Sequence, residues 1–270
     1  MAEPLVEALS GPVRTFDLGQ PLVSGMPNSP NHPAFRMALI RRHGDMVRPD
    51  GGSASNELIV TGGHVGTHID ALAHVSHDGR LFGGYSAEAA QRGGFFNVLG
   101  VETIEPLLCR GILLDVAAAR RQQQLAPGYG VTREDLIETA ALEKVDVQSR
   151  DVVLVRTGWA SLWADPAAYL GQVSGVPGLT VEGAAWLAER GVRATGSDTT
   201  AYERIPPGVG HHLLPVHGLL LVEHGIHIIE HLNLEELSHV GVWEFLFVLV
   251  PLKLVGATGS PVRPLALVTI

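Results

Sequence analysis

The amino-acid sequence predicts an α/β fold, with helices packed on a β-sheet. From Gly111 onward, short apolar runs of strand length alternate with segments that begin at helix-capping residues. Within this part the order is strand, helix, strand, which favours a parallel crossover whose helix lies on one face of the sheet.

The predicted elements follow in chain order. The first residues, punctuated by Gly11 and Pro12, predict an arm. Apolar and β-branched runs predict strands over residues 13–18, 35–42, 56–61, 112–116, 151–157, 192–195 and 245–250. Helices are predicted over residues 132–145 and 181–190. They begin at the capping residues Thr132, with Asp135 three positions on, and Thr180.

The composition predicts one globular domain. The chain has 270 residues, of which 46% are hydrophobic and 17% charged, so it can bury a substantial core. The best candidate for a domain boundary is the loop at 206–210, but a histidine cluster follows it at once. We therefore predict a single domain over residues 1–270.

Several partners and compartments are not expected. The net charge is −9 and no run of Lys and Arg exceeds a pair, which disfavours nucleic acid as a partner. No stretch approaches the roughly 20 apolar residues of a membrane span. The single cysteine, Cys109, cannot form an internal disulfide, and the N-terminus lacks the basic and apolar regions of a signal peptide. We expect a cytoplasmic protein.

The stretch from His64 to His74 carries the strongest functional signal. Its three histidines and one aspartate offer the ligands that zinc takes at about 2.0–2.2 Å. A straight strand would hold His64 and His68 about 13 Å apart, and a helix would turn Asp70 away from both. The chain must bend, which Gly66 permits. We place the stretch at the end of a strand turning into a loop, with Gly66 leaving open space beside the ion.

A second histidine cluster lies near the C-terminus. Seven of the 13 histidines fall within residues 211–239. The apolar runs 219–222 and 226–230 predict a hairpin or strand pair, and the outer ends of such a pair would bring His217 and Glu230 together. Either of the neighbouring residues His211 and His212 is an alternative to His217 as a ligand.

The stretch 64–74 reads H-x-G-T-H-x-D-x-x-x-H and resembles the signature of the metal-dependent cyclase hydrolase family, which includes bacterial kynurenine formamidase and isatin hydrolase. The resemblance extends to the segments 16–18, 26–27, 196–199, 215–230, 251–253 and 259–263. Leu72 stands where family members often carry proline, so the motif leaves the subfamily and the substrate open. The resemblance implies a swivelling β/β/α domain with a barrel-like sheet layer and flanking helices, and a homo-oligomer, either a dimer or a tetramer.

The resemblance also implies a set of site residues and a cofactor. The implied metal ligands are His64, His68, Asp70, His217 and Glu230. They would hold one or two ions of Zn²⁺ or Mn²⁺ per subunit: His64, His68 and Asp70 would hold one, and where a second is present Asp70 would bridge to it and the other two ligands would complete it. His74 would act as general acid and base, or would orient a ligand. His32 and Trp159 are candidate contacts for the substrate.

The predicted function is metal-dependent hydrolysis of a non-peptide C–N bond in a small molecule such as an N-formyl arylamine or a cyclic amide. Such an ion acidifies a bound water and polarises a carbonyl. The alternatives are a lyase or cyclase, in which the ion stabilises an enolate, and a lactone hydrolase. A non-catalytic metal-binding protein is a third hypothesis. The chain has no Gly-x-Ser-x-Gly, His-Glu-x-x-His or Cys-x-x-Cys motif and no phosphate-binding glycine loop.

Overall fold

Strands and helices alternate through most of the computed structural model, which describes residues 10–269. Most of the predicted N-terminal arm therefore lies outside the described residues. The strands β1 to β15, in chain order, are Val13–Asp17, Arg36–Arg41, Asn56–Val60, His68–Asp70, Gln91–Arg92, Phe95–Phe96, Leu107–Asp115, Gly130–Val131, Val152–Arg156, Gly178–Leu179, Ala194–Ser197, His227–Glu230, Glu244–Leu249, Gly259–Pro261 and Leu265–Thr269. The helices α1 to α7 are Ala87–Ala90, Val116–Ala119, Arg133–Glu143, Pro166–Leu170, Val181–Glu189, Pro215–His217 and Glu235–Val240.

Nine of these strands form one large sheet that curls into a half-barrel, in the order β1-β15-β13-β7-β9-β11-β12-β4-β14. The four strands β7, β9, β11 and β12 run parallel, and the other pairings are antiparallel. Helices flank the sheet. The predicted α/β fold with a barrel-like sheet layer is confirmed.

The predicted parallel crossover is present at the centre of the sheet. Strand β9 leads through α5 into β11, and β9 and β11 pair in parallel from Ala194 opposite Val152 to Ser197 opposite Val155. All five residues of β9 are buried. A central parallel strand is covered on both faces, which is why its sequence is a continuous apolar run.

The core lies on both faces of the sheet. Val153 and Val155 of β9 pack with helices α3 and α5 in one cluster, whereas Val152 and Leu154 pack in a second cluster with strands β13 and β15. Successive side chains of a strand point to opposite faces. The parallel strands therefore separate two apolar layers, and the candidate site lies at one end of the same sheet.

The two predicted helices are confirmed as α3 and α5. The Thr132 hydroxyl accepts a hydrogen bond from the amide of Asp135, and the Asp135 carboxylate accepts one from the amide of Thr132. Thr180 caps α5 by accepting from the amide of Gly183. Within residues 10–269, no helix has the length and apolar character needed to cross a membrane.

The hairpin predicted around Gly225 is wrong. Pro215 begins the short helix α6, which continues as a π-helix over Gly218–His224, and only the second apolar run forms a strand, β12. Leu220 and Leu221 of the π-helix are buried in the helix-side core. A short apolar run fits a strand or a buried helical turn equally well, so its periodicity could not distinguish the two.

The predicted strands at 35–42 and 56–61 form a separate two-stranded antiparallel ribbon, β2 and β3. Both strands are largely exposed, and they present large apolar side chains that include Met37, Ile40 and Ile59. The expected homo-oligomer stays a prediction.

Candidate metal centre

The 64–74 stretch enters the main sheet through β4. The chain leaves β3 at Val60 and turns into a loop over residues 61–67, as predicted, and His68–Asp70 of the motif then form the short strand β4, which the sequence did not predict. In β4, His68 lies opposite Glu230 of β12 and Asp70 opposite Gly259 of β14. Because residues two apart on a strand share a face, the register places both motif ligands beside Glu230.

Gly66 makes the bend that the sequence required. Its φ of +66° is in the left-handed region that favours glycine. The expected open space beside it is wrong, because a Cβ at Gly66 would overlap the Cδ2 methyl of Leu22 and lie 3.5 Å from Cε of Met26. Apolar side chains therefore fill that side of the bend.

Four predicted ligands form a continuous cluster. His68 Nε2 lies 3.5 Å from Asp70 Oδ1 and 3.7 Å from Glu230 Oε2. His217 Nε2 lies 3.2 Å from Glu230 Oε1 and 3.8 Å from Asp70 Oδ2. Within the described residues, Asp70, His217 and Glu230 each offer a ligand atom within 4.8 Å of the others, and so do His68, Glu230 and His231. Each of these groups of three has the donor atoms that a divalent cation takes.

Hydrogen bonds orient the imidazoles of His68 and His217 within this cluster. His68 Nδ1 donates to the carbonyl of Gly66 at 2.8 Å, which leaves Nε2 free to bind a cation. His217 Nδ1 bonds to Oε1 of the buried Glu203 at 2.6 Å, and the same carboxylate accepts from the amides of Val216 and His217. Glu203 therefore fixes both the ring and the backbone that carries it.

The charges of the cluster also call for a cation. Asp70 Oδ2 is buried and has no hydrogen-bond partner within the described residues. Burial raises the pKa of Glu230 to about 7. Although burial favours neutral His217, its hydrogen bonds to Glu203 and Glu230 raise its pKa to about 10. Without a cation, a proton on His217 compensates the buried carboxylates, and a divalent ion would take over that compensation.

His64 and His74 lie beside this cluster. The rings stack with their centroids 3.8 Å apart. His64 Nδ1 bonds to Asp70 Oδ1 at 2.8 Å, and its Nε2 to the Thr258 hydroxyl at 2.9 Å. Each of His64, Asp70 and His74 offers a ligand atom within 4.8 Å of the others. Burial lowers the pKa of His74 to about 3, so its ring is neutral at pH 7.

A cavity of about 190 Å³ opens onto the cluster. Histidines dominate its wall, which is formed by Ser29, Asn31, His32, His64, His68, His74, Thr200, Ala201, His211, Leu214, His217, Glu230 and His231. This volume is below the roughly 300–1,000 Å³ of sites for drug-sized ligands, so the cavity admits only a small molecule. His32 stacks on His64 with centroids 5.4 Å apart, so the structure places this predicted substrate contact at the cavity.

The structure does not place Trp159 at the cavity. Its side chain is 1% exposed, and the indole nitrogen donates to the carbonyl of Tyr169 inside a separate apolar cluster. His212 is exposed, and His211 lines the cavity at a site other than the ligand cluster. His217 is therefore the histidine of this segment that joins Asp70 and Glu230.

Sequence reasoning missed two buried residues of the site. Glu203 lies 14 positions before His217, and no local pattern connects them. His231 is 4% exposed and lines the cavity. Its position directly after Glu230 was the available signal.

The fold and this cluster define an α/β enzyme with a buried centre of histidines and carboxylates. The chain belongs to the Cyclase family, whose model matches residues 16–204. The match contains the whole 64–74 stretch and Glu203, and it ends before His217.

Curated and solved relatives agree with this assignment. The chain is 26% identical to kynurenine formamidase of Bacillus mycoides over 253 residues, covering 92% of this chain and 94% of the relative. It is 27% identical to isatin hydrolase of Roseibium aggregatum over 216 residues, covering 78% and 73%. A solved structure described as a novel cyclase matches with a TM-score of 0.85 and 28% identity over 98% of this chain and 93% of that one. Isatin hydrolase A from Ralstonia solanacearum matches with a TM-score of 0.76 and 25% identity, covering 99% and 97%. The chain is an amidohydrolase of the Cyclase family.

Proposed function

We propose that this amidohydrolase cleaves a non-peptide C–N bond in a small carbonyl compound, either an N-formyl arylamine or a cyclic amide. The observation that carries the proposal is the 190 Å³ cavity, whose wall includes the ligand cluster and His74. The names of the relatives, kynurenine formamidase and isatin hydrolase, support the two substrate types.

We propose Zn²⁺ or Mn²⁺ as the cofactor. His68, Asp70, His217 and Glu230 would hold one ion, and His64 with Asp70 is the place for a second. A bound cation would polarise the substrate carbonyl and acidify water. The unpartnered Oδ2 of Asp70 and the close grouping of Asp70, His217 and Glu230 support this cofactor.

His74 is the proposed general acid and base. Its neutral ring can accept a proton from the attacking water, and the nearby Asp70 carboxylate stabilises the imidazolium that results. The imidazolium then returns the proton to the leaving nitrogen, so the amine departs without a full negative charge. Stacking on His64, which bonds to Asp70 and Thr258, holds the His74 ring in place.

The same centre could serve a lyase, a cyclase or a lactone hydrolase, because enolates and ester carbonyls respond to the same groups. The test is turnover of N-formylaniline and isatin in ¹⁸O-labelled water, followed by mass spectrometry, with metal content measured in the same preparation. Hydrolysis puts one label into the carboxylic acid product, and His74→Asn should abolish turnover while retaining metal. Turnover without label, or full activity of His74→Asn, would contradict the proposal.

A further inference from the structure

His231 is a buried histidine that the proposed mechanism leaves unused. Its ring lines the cavity beside His68, with centroids 5.5 Å apart, and is 4% exposed. Its φ of +57° lies in the left-handed region, which is uncommon for a residue other than glycine. Strained backbone of this kind persists where surrounding contacts impose it, and functional sites are where it concentrates.

Two hydrogen bonds to the main chain of His231 provide these surrounding contacts. Its amide donates to the carbonyl of Thr199 at 3.0 Å, and its carbonyl accepts from the hydroxyl of Thr67 at 2.7 Å. Thr67 belongs to the 64–74 stretch. The backbone of His231 is therefore tied to the same bend that positions His68.

The ring of His231 is held in one tautomer. The hydroxyl of Tyr169 lies 3.1 Å from the carbonyl of Asp198 and 2.9 Å from His231 Nδ1. A carbonyl only accepts, and the hydroxyl has a single proton. Both hydrogen bonds form together only when Tyr169 donates to Asp198 and His231 Nδ1 donates to Tyr169. The neutral ring then carries its lone pair on Nε2.

His231 Nε2 is consequently a fixed acceptor. Within residues 10–269 the hydrogen bond of the ring is made by Nδ1, and the ring faces a cavity that admits a small molecule. In an amide substrate, the group that can donate a hydrogen bond to this acceptor is the N–H of the amide. An N-alkylated amide or an ester lacks this donor.

Building on the proposed function, we propose that His231 determines the substrate class: its Nε2 accepts a hydrogen bond from the N–H of the amide that is cleaved. The enzyme then selects secondary amides, such as N-monosubstituted formamides and lactams with a free N–H, against N-alkylated amides and lactones. A site built to bond an N–H discriminates against the analogue that lacks it, because a buried acceptor is left unpaired.

The test compares kcat/KM for N-formylaniline and N-methyl-N-formylaniline in the wild type and in three variants. His231→Phe keeps a planar ring without an acceptor, and it should reduce the preference for N-formylaniline about tenfold. His231→Gln, which restores an acceptor, should retain more of the preference. His212→Phe makes the same change at an exposed histidine outside the wall of this cavity, and we expect the preference to be unchanged. Thermal melting of each variant confirms that it folds.

Two further measurements separate this inference from other roles of His231. Metal content of His231→Phe should equal that of the wild type, and loss of metal would overturn the inference in favour of a ligand role. In ¹⁵N-histidine spectra, His231 should show a protonated Nδ1 and an unprotonated Nε2, and Tyr169→Phe should remove that bias. A preference for N-formylaniline that survives His231→Phe would also overturn the inference.

Failure of the proposed function has a different signature. If the wild type turns over neither compound and no other amide, the proposed function fails. Binding of the two formanilides, measured by calorimetry on the wild type and His231→Phe, then tests the inference alone. Equal affinities for the two compounds in the wild type would overturn it.

Discussion

The two halves of the metal centre are built in different ways. His68 and Asp70 come from one bend and one short strand, and His68 is oriented by a main-chain carbonyl two residues away. His217 and Glu230 come from a helix and a strand joined by a π-helix, and His217 is oriented by a side chain, Glu203. The first half is local and is held by backbone, whereas the second depends on a tertiary contact that one substitution can remove.

The largest effect is expected where the halves meet, at Asp70. Its carboxylate faces His68 on one side and His217 on the other, so Asp70→Asn removes a charge that both halves use. We expect loss of metal binding by more than about a hundredfold, with activity lost in proportion. Metal analysis by mass spectrometry after reconstitution measures it. Asp78→Asn, with a side chain 93% exposed, is the matched control, and an equal loss there would break the assignment.

The next largest effect is expected at Glu203, which orients His217 in the second half of the metal centre. Glu203→Gln keeps the size of the side chain but removes the carboxylate that orients His217, and we expect metal affinity to fall about 10- to 100-fold. Titration against a competing chelator gives the affinity. The exposed Glu223, changed in the same way, should leave it unaltered. Wild-type affinity in Glu203→Gln would show that the second half is as self-contained as the first.

The halves also differ in protonation. In the absence of a cation, the pKa of His217 is raised to about 10, mainly through Glu203 and Glu230 against the opposing effect of burial, whereas burial lowers the pKa of His68 to about 4. Near neutral pH His217 must lose a proton to bind metal, and Glu230, with a pKa of about 7, must lose one in part of the molecules, so lowering the pH opposes binding. Affinity should fall at least about tenfold per pH unit from pH 8 to pH 7, and calorimetry in two buffers should show release of about one to two protons. A pH-independent affinity would contradict this charge balance.

The smallest effect concerns the bend of the first half. Gly66→Ala adds a Cβ against Leu22 at a left-handed position, and Gly79→Ala adds one at φ +69° with no atom within 4 Å. In both variants the alanine is destabilising because it must adopt the left-handed backbone conformation. The overlap should therefore lower the free energy of unfolding of Gly66→Ala by about 1–2 kcal/mol more than that of Gly79→Ala. Chemical denaturation measures the difference, and equal values would mean that the Leu22 side of the bend is loosely packed.

The same contrast explains what the sequence could predict. Strand β9 was readable because burial on both faces requires an apolar residue at every position. The 64–74 stretch was readable because its ligands and its glycine are neighbours in sequence. The π-helix at Gly218–His224 was not, since its short apolar run resembles a strand. His217 and Glu230 were paired correctly in space, but through a hairpin that does not exist.

Residues that act through the tertiary structure could not be predicted. Glu203 reaches His217 only because the fold brings the two segments together, and glutamate at an arbitrary position carries no signal of burial. His231 is distinguished by its left-handed backbone and by Tyr169, 62 positions away in sequence. No pattern in the neighbouring sequence indicates either property.

The order of the strands in the sheet determines when the metal centre can form during synthesis of the chain. Strand β1 pairs with β15, from Val13 opposite Thr269, and within residues 10–269 the partners of β4 are β12 and β14. On the ribosome, the 64–74 stretch is therefore synthesised long before the strands that pair with it. Such long-range pairing slows folding. The centre should form only after β12 and β14 have left the ribosome, and until then its histidines are open to any metal ion in their surroundings.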